Sequence, residues 1–348
     1  MERPSFWKTH ISEIEETMKG VKKGKARVIT KSAGGRDVWM VEYGEKQDFN
    51  RRANYSSACG SRDPSCYAER KGKKPVIFIV GAVHGLELEG TASCLNMIKM
   101  IETGKDYAGN SIPFFSECID KCRLLIIPLA NPDGRARTPI DMFYGMSYED
   151  FRHYGQGRWK DGSLCGWPEC KKVHPIKDHV SYLGAYYNDD GINMMHDDFM
   201  GKMAKETRAL FDICDAESPD FTMLLHGGGN TINEVCNSDF VPYTVKENIQ
   251  TLKERVRAGA NKRGLPTLVN KLNSETGDNT RRSFNLNVAL HHHSGTIPVL
   301  YESNQGIVYG PEYKADPAWE TLLTIEQILT KHYVLFEETI KYAMELAK

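Results

Sequence analysis

Residues Lys74 to Gly90 read Lys-Pro-Val-Ile-Phe-Ile-Val-Gly-Ala-Val-His-Gly-Leu-Glu-Leu-Glu-Gly, and no other stretch constrains the fold as tightly. Five consecutive apolar residues, Val76 to Val80, predict a buried strand. Gly81 breaks the run, a short turn carries His84 and Glu87, and a helical pattern follows from about Leu88 to Met100. A histidine and a glutamate three residues apart, just past a buried strand, can point at one spot. An imidazole nitrogen and a carboxylate oxygen are both good zinc ligands, so the stretch offers half of a metal site.

A chain of 348 residues can bury a large core, as one big α/β domain or two smaller ones. The net charge of -1, with acids and bases interspersed, gives no sign of a nucleic-acid surface or a polybasic membrane patch. No apolar run approaches the roughly 18 residues a membrane span needs. Met1 to Gly20 is polar and acidic without an apolar signal core, so the expectation is a cytoplasmic protein, or a mature form whose signal has been removed. The nine cysteines are odd in number and include no CxxC pair. Cys59 with Cys66, and Cys165 with Cys170, lie in loops where a disulfide can close; free thiols are the plainer reading.

Ser12-Glu-Ile-Glu15 has the form of a capping box, and Ile11, Ile14 and Met18 at helical spacing predict a helix over 11–23. Arg27 to Thr30 and Val38 to Tyr43 predict two strands joined by a Gly34-Gly35 turn. Residues 45–73 are polar and aperiodic and read as a surface insertion. Arg123 to Leu129 predicts another buried strand, ending in the turn signal Asn131-Pro-Asp-Gly134. Residues 135–190 read as long loops with short helices, and Lys202 to Cys214 as a helix. Asp220 to Leu225 predicts a strand ending at His226, Val245 to Arg263 an amphipathic helix, and Ile297 to Tyr301 a strand ending at Glu302. Asp316 and Pro317 suit the opening of a long C-terminal helix. Strands alternating with helices argue for an α/β fold with a largely parallel sheet, whose active site lies beyond the carboxyl ends of the strands. His84 with Glu87, the 131–134 turn, His226 and Glu302 all fall just past strand ends.

His84, Glu87 and His226 make a set of two histidines and one carboxylate that leaves a fourth position for water, the arrangement of a catalytic zinc. Glu302, at the same edge, is placed to take a proton from that water, whose pKa zinc brings to about 7. Each feature alone is weak. An HxxE pair occurs by chance, a strand-end histidine is commonly a structural hydrogen-bonder, and a strand-end glutamate is usually a solvated rim residue. Their joint placement past core strands points to a zinc hydrolase.

These residues resemble the zinc carboxypeptidases, the carboxypeptidase A-like family. Pro75 to Glu87, with its His-Gly-x-Glu, looks like the family's first zinc signature, and Asn131 to Gly134 like its turn. Leu225-His226 looks like the third ligand, Val299 to Glu302 like the strand bearing the catalytic glutamate, and Gly34 to Trp39 like the first hairpin. The resemblance spans about residues 10–345 and implies a single catalytic domain over 1–348. Its fold would be α/β, a mixed, mostly parallel twisted sheet of about eight strands flanked by helices, with one Zn2+ ion. By resemblance, His84, Glu87 and His226 hold the zinc, and Glu302 activates the water and passes its proton to the leaving nitrogen. A cation then stabilises the oxyanion. The family draws an arginine for this from a segment matched here by Gly157-Arg-Trp-Lys160, so Arg158 is the first candidate, Lys160 the next, and Arg135 and Arg137 outside ones.

The departures bear on substrate. The family's Asn-Arg pair, which grips a C-terminal carboxylate, falls in Gly191 to Asp198, where Met195 and His196 stand instead. A histidine cannot reproduce the bidentate arginine fork. Asn193 replaces the aspartate that orients a zinc histidine, with Asp190 or Asp197 as substitutes. No tyrosine lies between Tyr243 and Tyr301 to match the family's mobile one; Arg281, Arg282 and His291 to His293 occupy that region, the triplet as a polar loop or a substrate contact. Glu89 is acidic where the signature is apolar, and Gly227 to Gly229 let backbone approach the site. His196 and Arg135 are the residues expected to contact substrate. The expectation is a zinc-dependent amide or peptide hydrolase with an atypical pocket. A deacylase or amidase acting on a small N-acyl compound and a non-catalytic metal-binding module are the alternatives.

Overall fold

The β-forming apolar runs pair as their lengths and spacing require. The computed structural model describes residues 2–230, 234–236, 238–267, 284–310 and 322–348. Its strands are β1 (Lys25–Lys31), β2 (Asp37–Tyr43), β3 (Val76–Gly81), β4 (Arg123–Ile127), β5 (Gly157–Trp159), β6 (Val180–Leu183), β7 (Phe221–Gly227), β8 (Glu234–Val235) and β9 (Ile297–Ser303). Seven of them form one sheet in the order β1-β2-β4-β3-β7-β9-β8, and β5 pairs with β6 apart from it. The four inner strands β4, β3, β7 and β9 run parallel, while β1, β2 and β8 are antiparallel at the edges. This is the mixed, twisted α/β sheet that the sequence implies.

Strand alternation sorts the core into two layers. Ile77 and Ile79 of β3 point into one hydrophobic cluster, and Val76, Phe78 and Val80 into the other. The first layer is covered by α1 (Ile11–Lys19), α2 (Leu88–Thr103), α4 (Tyr243–Lys262) and α6 (Ile325–Leu346); the second by α3 (Lys205–Glu217) and α5 (Leu286–Ser294). Residues of β3 and β4 are buried throughout, each large apolar side chain there contributing about 1.5–3 kcal/mol by leaving water.

Several boundaries differ from expectation for identifiable reasons. Helix α1 ends at Lys19 against Gly20, short of residue 23, and its capping carboxylate is Glu13, which accepts the backbone N–H bonds of Thr9 and His10. Helix α6 is capped by Thr324, whose hydroxyl accepts from Gln327 N–H while Gln327 Oε1 accepts from Thr324 N–H. The Asp316-Pro317 start expected for that helix lies outside the described residues. Residues 45–73 contain two short helical turns, Tyr55–Gly60 and Pro64–Cys66, and bury Phe49, Ala58 and Tyr67 in the second core layer. The 135–190 region includes the β5–β6 hairpin and the turn Arg152–Gln156, packed around a third cluster with Leu86, Phe151, Tyr186 and Tyr187. All nine cysteines are free thiols.

The chain leaves β3 toward β4 on one side and β7 toward β9 on the other. The order of strand connection therefore reverses between the parallel neighbours β3 and β7, and a crevice opens past their carboxyl ends.

Candidate active site

The turn after β3 is built by close backbone approach. Ala82 adopts a left-handed φ of 47°, which costs a non-glycine residue about 1–2 kcal/mol. The turn is pinned from below: Ala130 N–H donates to Gly81 O at 2.9 Å and Asn131 N–H to Ala82 O at 3.0 Å. Gly85 N–H donates to Ala185 O at 2.8 Å. A Cβ on Gly85 would lie 2.5 Å from Arg135 N and 2.7 Å from Asn131 O, so only glycine lets the loop lie on the 131–135 turn. That turn is anchored too. Asn131 Oδ1 accepts from Gly134 N–H at 2.9 Å, and the Asp133 carboxylate accepts from Ser32 Oγ, Gly34 N, Arg36 Nη1 and Asp189 N.

Held this way, His84 and Glu87 meet His226 from the end of β7. His84 Nδ1 lies 2.9 Å from Glu87 Oε1, and His226 Nδ1 lies 2.7 Å from Glu87 Oε2. One donor atom from each residue lies within 4.8 Å of the others, and all three side chains are buried. Burial by itself would raise the Glu87 carboxyl, but the two imidazoles outweigh it and hold the group at about 2. Burial opposes protonation of His226, yet the Glu87 carboxylate, its hydrogen bond and the charge of Glu302 raise its pKa.

The donor chemistry fits zinc. Asn193 Oδ1 can only accept, so the 3.1 Å contact from His84 Nε2 fixes the ring proton there and leaves the Nδ1 lone pair facing the cluster. An ionised carboxylate with 2% exposure, facing two imidazole nitrogens, is a costly arrangement until a cation joins it. Two neutral histidines and a carboxylate are what zinc takes in a three-ligand site.

Two further groups complete the edge. Glu302 pairs in register with His226 across the parallel β7–β9 ladder, so both project from the same level of adjacent strands. Tyr186 stacks on His84 with ring centroids 4.1 Å apart and planes at 11°. Burial first, then the Glu87 and Glu302 charges, raise the Tyr186 phenol well above its usual range, so it stays protonated. Sequence reasoning missed Tyr186. No periodicity marks its loop, and its position follows from Tyr186 N–H donating to Gly155 O at 3.0 Å beside the Gly85–Ala185 bond.

The other expected residues fall as follows. Arg135 is buried and fully occupied: Nε donates to Thr9 O, Nη1 to Thr138 O, and Nη2 to Asp141 Oδ1 at 2.7 Å. These contacts brace the N-terminal segment. Arg137 is likewise spent on Asp189 and the carbonyls of Leu183, Gly184 and Tyr187. Arg158 lies on β5 and gives Nε to His153 Nδ1, Nη1 to Gly162 O and Nη2 to an ion pair with Glu149; these contacts run along the hairpin, not to the ligand cluster. Lys160 is exposed. His196 is held neutral, down to about 3, by burial first and then by the charges of Lys171, His84 and His226. Asn193 itself supports His84. Asp197 instead accepts from Ala204 N–H and Asp198 N–H, and Asp190 is not the residue bonded to the ligand.

The His291 to His293 triplet is helical, not a polar loop. His291 is buried and bonds Thr296 O, His292 bonds Phe240 O, and His293 pairs with Asp215, so all three brace α5. The signal was present in Leu286, Ala289 and Leu290, which sit at helical spacing and are buried. Arg281 and Arg282 lie outside the described residues. Glu89 has 2% exposure, and burial pushes its carboxyl up to about 8, so this departure from an apolar signature is borne as a neutral acid. A Cβ on Gly227 would lie 2.3 Å from the Gln305 amide, and Gln305 N–H donates to Gly229 O, so the glycines serve to close the β7–β9 ends.

A twisted α/β sheet with a His-Glu-His cluster at its switch point defines the class of metal-dependent hydrolases. The chain belongs to the zinc carboxypeptidase family (Peptidase_M14), whose model matches residues 22–345. Among solved structures it is similar to a metallo-carboxypeptidase from Burkholderia cenocepacia (TM-score 0.56, 13% identity, covering 96% of this chain and 69% of that one). It is also similar to bovine thrombin-activatable fibrinolysis inhibitor in complex with tick carboxypeptidase inhibitor (TM-score 0.56, 10% identity, covering 99% of this chain and 100% of that one). A metallo-carboxypeptidase from Pseudomonas aeruginosa gives a TM-score of 0.51 at 10% identity, over 95% of this chain and 67% of that one. No curated protein sequence matches. Among the described residues, no helix is long and apolar enough to cross a membrane.

Proposed function

We propose that the chain is a hydrolase of peptide or small amide bonds that works with one zinc ion held by His84, Glu87 and His226, with Glu302 as general base. One observation carries the reading: the three donors converge at the β3–β7 crevice with Glu302 in register beside His226. Zinc, when bound, supplies a Lewis acid that polarises the scissile carbonyl and makes water acidic enough to react near pH 7. Glu302 takes the proton of the attacking water and hands it to the leaving nitrogen. Asn193 keeps His84 in the tautomer that presents Nδ1, and Tyr186 covers the other face of that ring and shields it from solvent.

In this reading the substrate pocket lacks the arginine that the sequence resemblance leads one to expect. A neutral His196 supplies no charge where an arginine was expected, and Arg135 is consumed elsewhere. The test is a substrate panel on zinc-loaded protein, with and without chelator. Chelator-sensitive release of single C-terminal amino acids supports a carboxypeptidase. Acyl release from small N-acyl compounds supports the deacylase reading. Absence of turnover on every peptide and amide contradicts the proposal and leaves a metal-binding module.

A further inference from the structure

A cation that pairs with no carboxylate among the described residues stands over the Trp167 ring, near His196. Lys171 closes the short turn Glu169–Lys171, and its Nζ lies 3.1 Å from the centroid of the Trp167 ring. That ring is 6.0 Å from the ring of His196, whose backbone N–H donates to Asn193 O at 2.9 Å, and the Asn193 Oδ1 meets His84 Nε2 at 3.1 Å. The ammonium, the indole and the His196 turn therefore connect through Asn193 to the His84 side of the cluster.

Among the described residues no carboxylate pairs with Lys171. Glu169 goes to Lys172, and Asp197 faces His174. Burial pushes the Lys171 ammonium down to about 8, which leaves it mostly charged at neutral pH. Removing an ammonium from water is costly unless it is paired, and an aromatic face compensates only in part. An anion from outside would complete the arrangement.

The segment is also held in place by its own backbone and by Arg152. Cys170 N–H donates to Gly166 O at 2.8 Å, and Arg152 reaches the carbonyls of Leu164 and Cys165. Cys165 and Cys170 are buried beneath it, while the Trp167 ring above is 50% exposed. A fixed ammonium on an open aromatic platform is a pre-organised anion site.

We propose that Lys171, with Trp167 as its aromatic wall, binds a carboxylate of the substrate, either the free terminus of a peptide or an acidic side chain. This rests on the hydrolase reading above, because the carboxylate is delivered by the molecule being cleaved. A lysine is a point charge with no fixed fork, so it reads the presence of the anion and not its bidentate geometry.

The test separates the two sources of carboxylate and is independent of turnover. Three N-acetylated dipeptides are titrated calorimetrically into zinc-loaded Glu302→Gln protein. One carries only a terminal carboxylate, one only a glutamate side-chain carboxylate on an amidated terminus, and one carries neither. The expected result is that one of the two acids binds about 10- to 100-fold more tightly than the neutral peptide, the gain of one hydrogen bond to a charged partner. Lys171→Met should abolish that preference and Lys171→Arg should retain it. Equal binding of all three peptides, or a preference that survives Lys171→Met, overturns the proposal. Turnover by the wild-type chain is read separately. Acid-selective binding with no hydrolysis contradicts the hydrolase reading and leaves Lys171 standing, and hydrolysis with no acid preference does the reverse.

Discussion

Asn193 is the residue whose removal separates support of the metal site from the metal site itself. Its Oδ1 accepts two bonds, from His84 Nε2 at 3.1 Å and from Met195 N at 3.0 Å. Asn193→Ala removes both. The second bond caps the short turn Met194–His196, and its loss should destabilise the metal-free chain by about 1 kcal/mol. The first fixes the tautomer and orientation of a ligand, and loss of such support weakens metal binding about 10- to 100-fold, or about 1.4–2.7 kcal/mol. Asn193→Asp keeps both acceptors and adds a charge that strengthens the bond to the histidine, so it should bind zinc at least as tightly as the wild type. Competition with a chelator of known affinity measures the metal, and urea unfolding of the metal-free chain measures the cap. Wild-type zinc affinity in Asn193→Ala, or an Asn193→Asp variant as weak as the alanine, would refute the role given to this amide.

Other expectations follow from groups whose surroundings are equally explicit. Arg135→Met loses four buried or half-buried contacts and should cost about 2–3 kcal/mol in urea unfolding, less than a fully buried pair because Asp141 is one-third exposed, while zinc per folded chain stays unchanged. A raised KM without loss of stability would instead make Arg135 a substrate contact. His196, held at about 3 by burial and the nearby positive charges, is already neutral well below pH 5. His196→Gln should therefore leave both limbs of the activity profile between about pH 5 and 9 in place; loss of a limb near the ordinary histidine range would contradict this. Gly85→Ala forces a Cβ against backbone atoms at 2.5–2.7 Å and should weaken zinc binding along with stability, by about 1–3 kcal/mol in unfolding. A fully stable, fully loaded Gly85→Ala protein would show that the close approach is not needed.

The convergence of His84, Glu87 and His226 was legible because each follows an apolar run that has no alternative to a central strand. Val76 to Val80 places His84 and Glu87, Phe221 to Leu225 places His226, and Ile297 to Tyr301 places Glu302 at the same sheet edge. Side chains supplied by the connecting segments were not legible in this way. Tyr186 is positioned by backbone bonds from a loop without periodicity. Asn193 was read as a loss, yet an amide oxygen accepts a histidine N–H as an aspartate does, and the expected substitutes are engaged elsewhere. For Arg135 and Arg158, sequence proximity to a motif does not say where a long guanidinium ends. Arg135 reaches back to Thr9, and Arg158 turns along its hairpin. No sequence pattern marks Lys171, because its setting depends on how the 165–171 segment folds around the Trp167 ring.

The central claim is that the His84, Glu87 and His226 cluster holds a working zinc and that Glu302 is its proton carrier. Metal analysis and peptide hydrolysis on the same preparation of Glu302→Gln test it most directly. The account predicts about one zinc per chain, as in the wild type, and hydrolysis reduced to background, because the amide keeps the shape of the carboxylate and cannot take the proton. A wild-type chain that carries no zinc, or a Glu302→Gln variant that hydrolyses peptides at the wild-type rate, would contradict it.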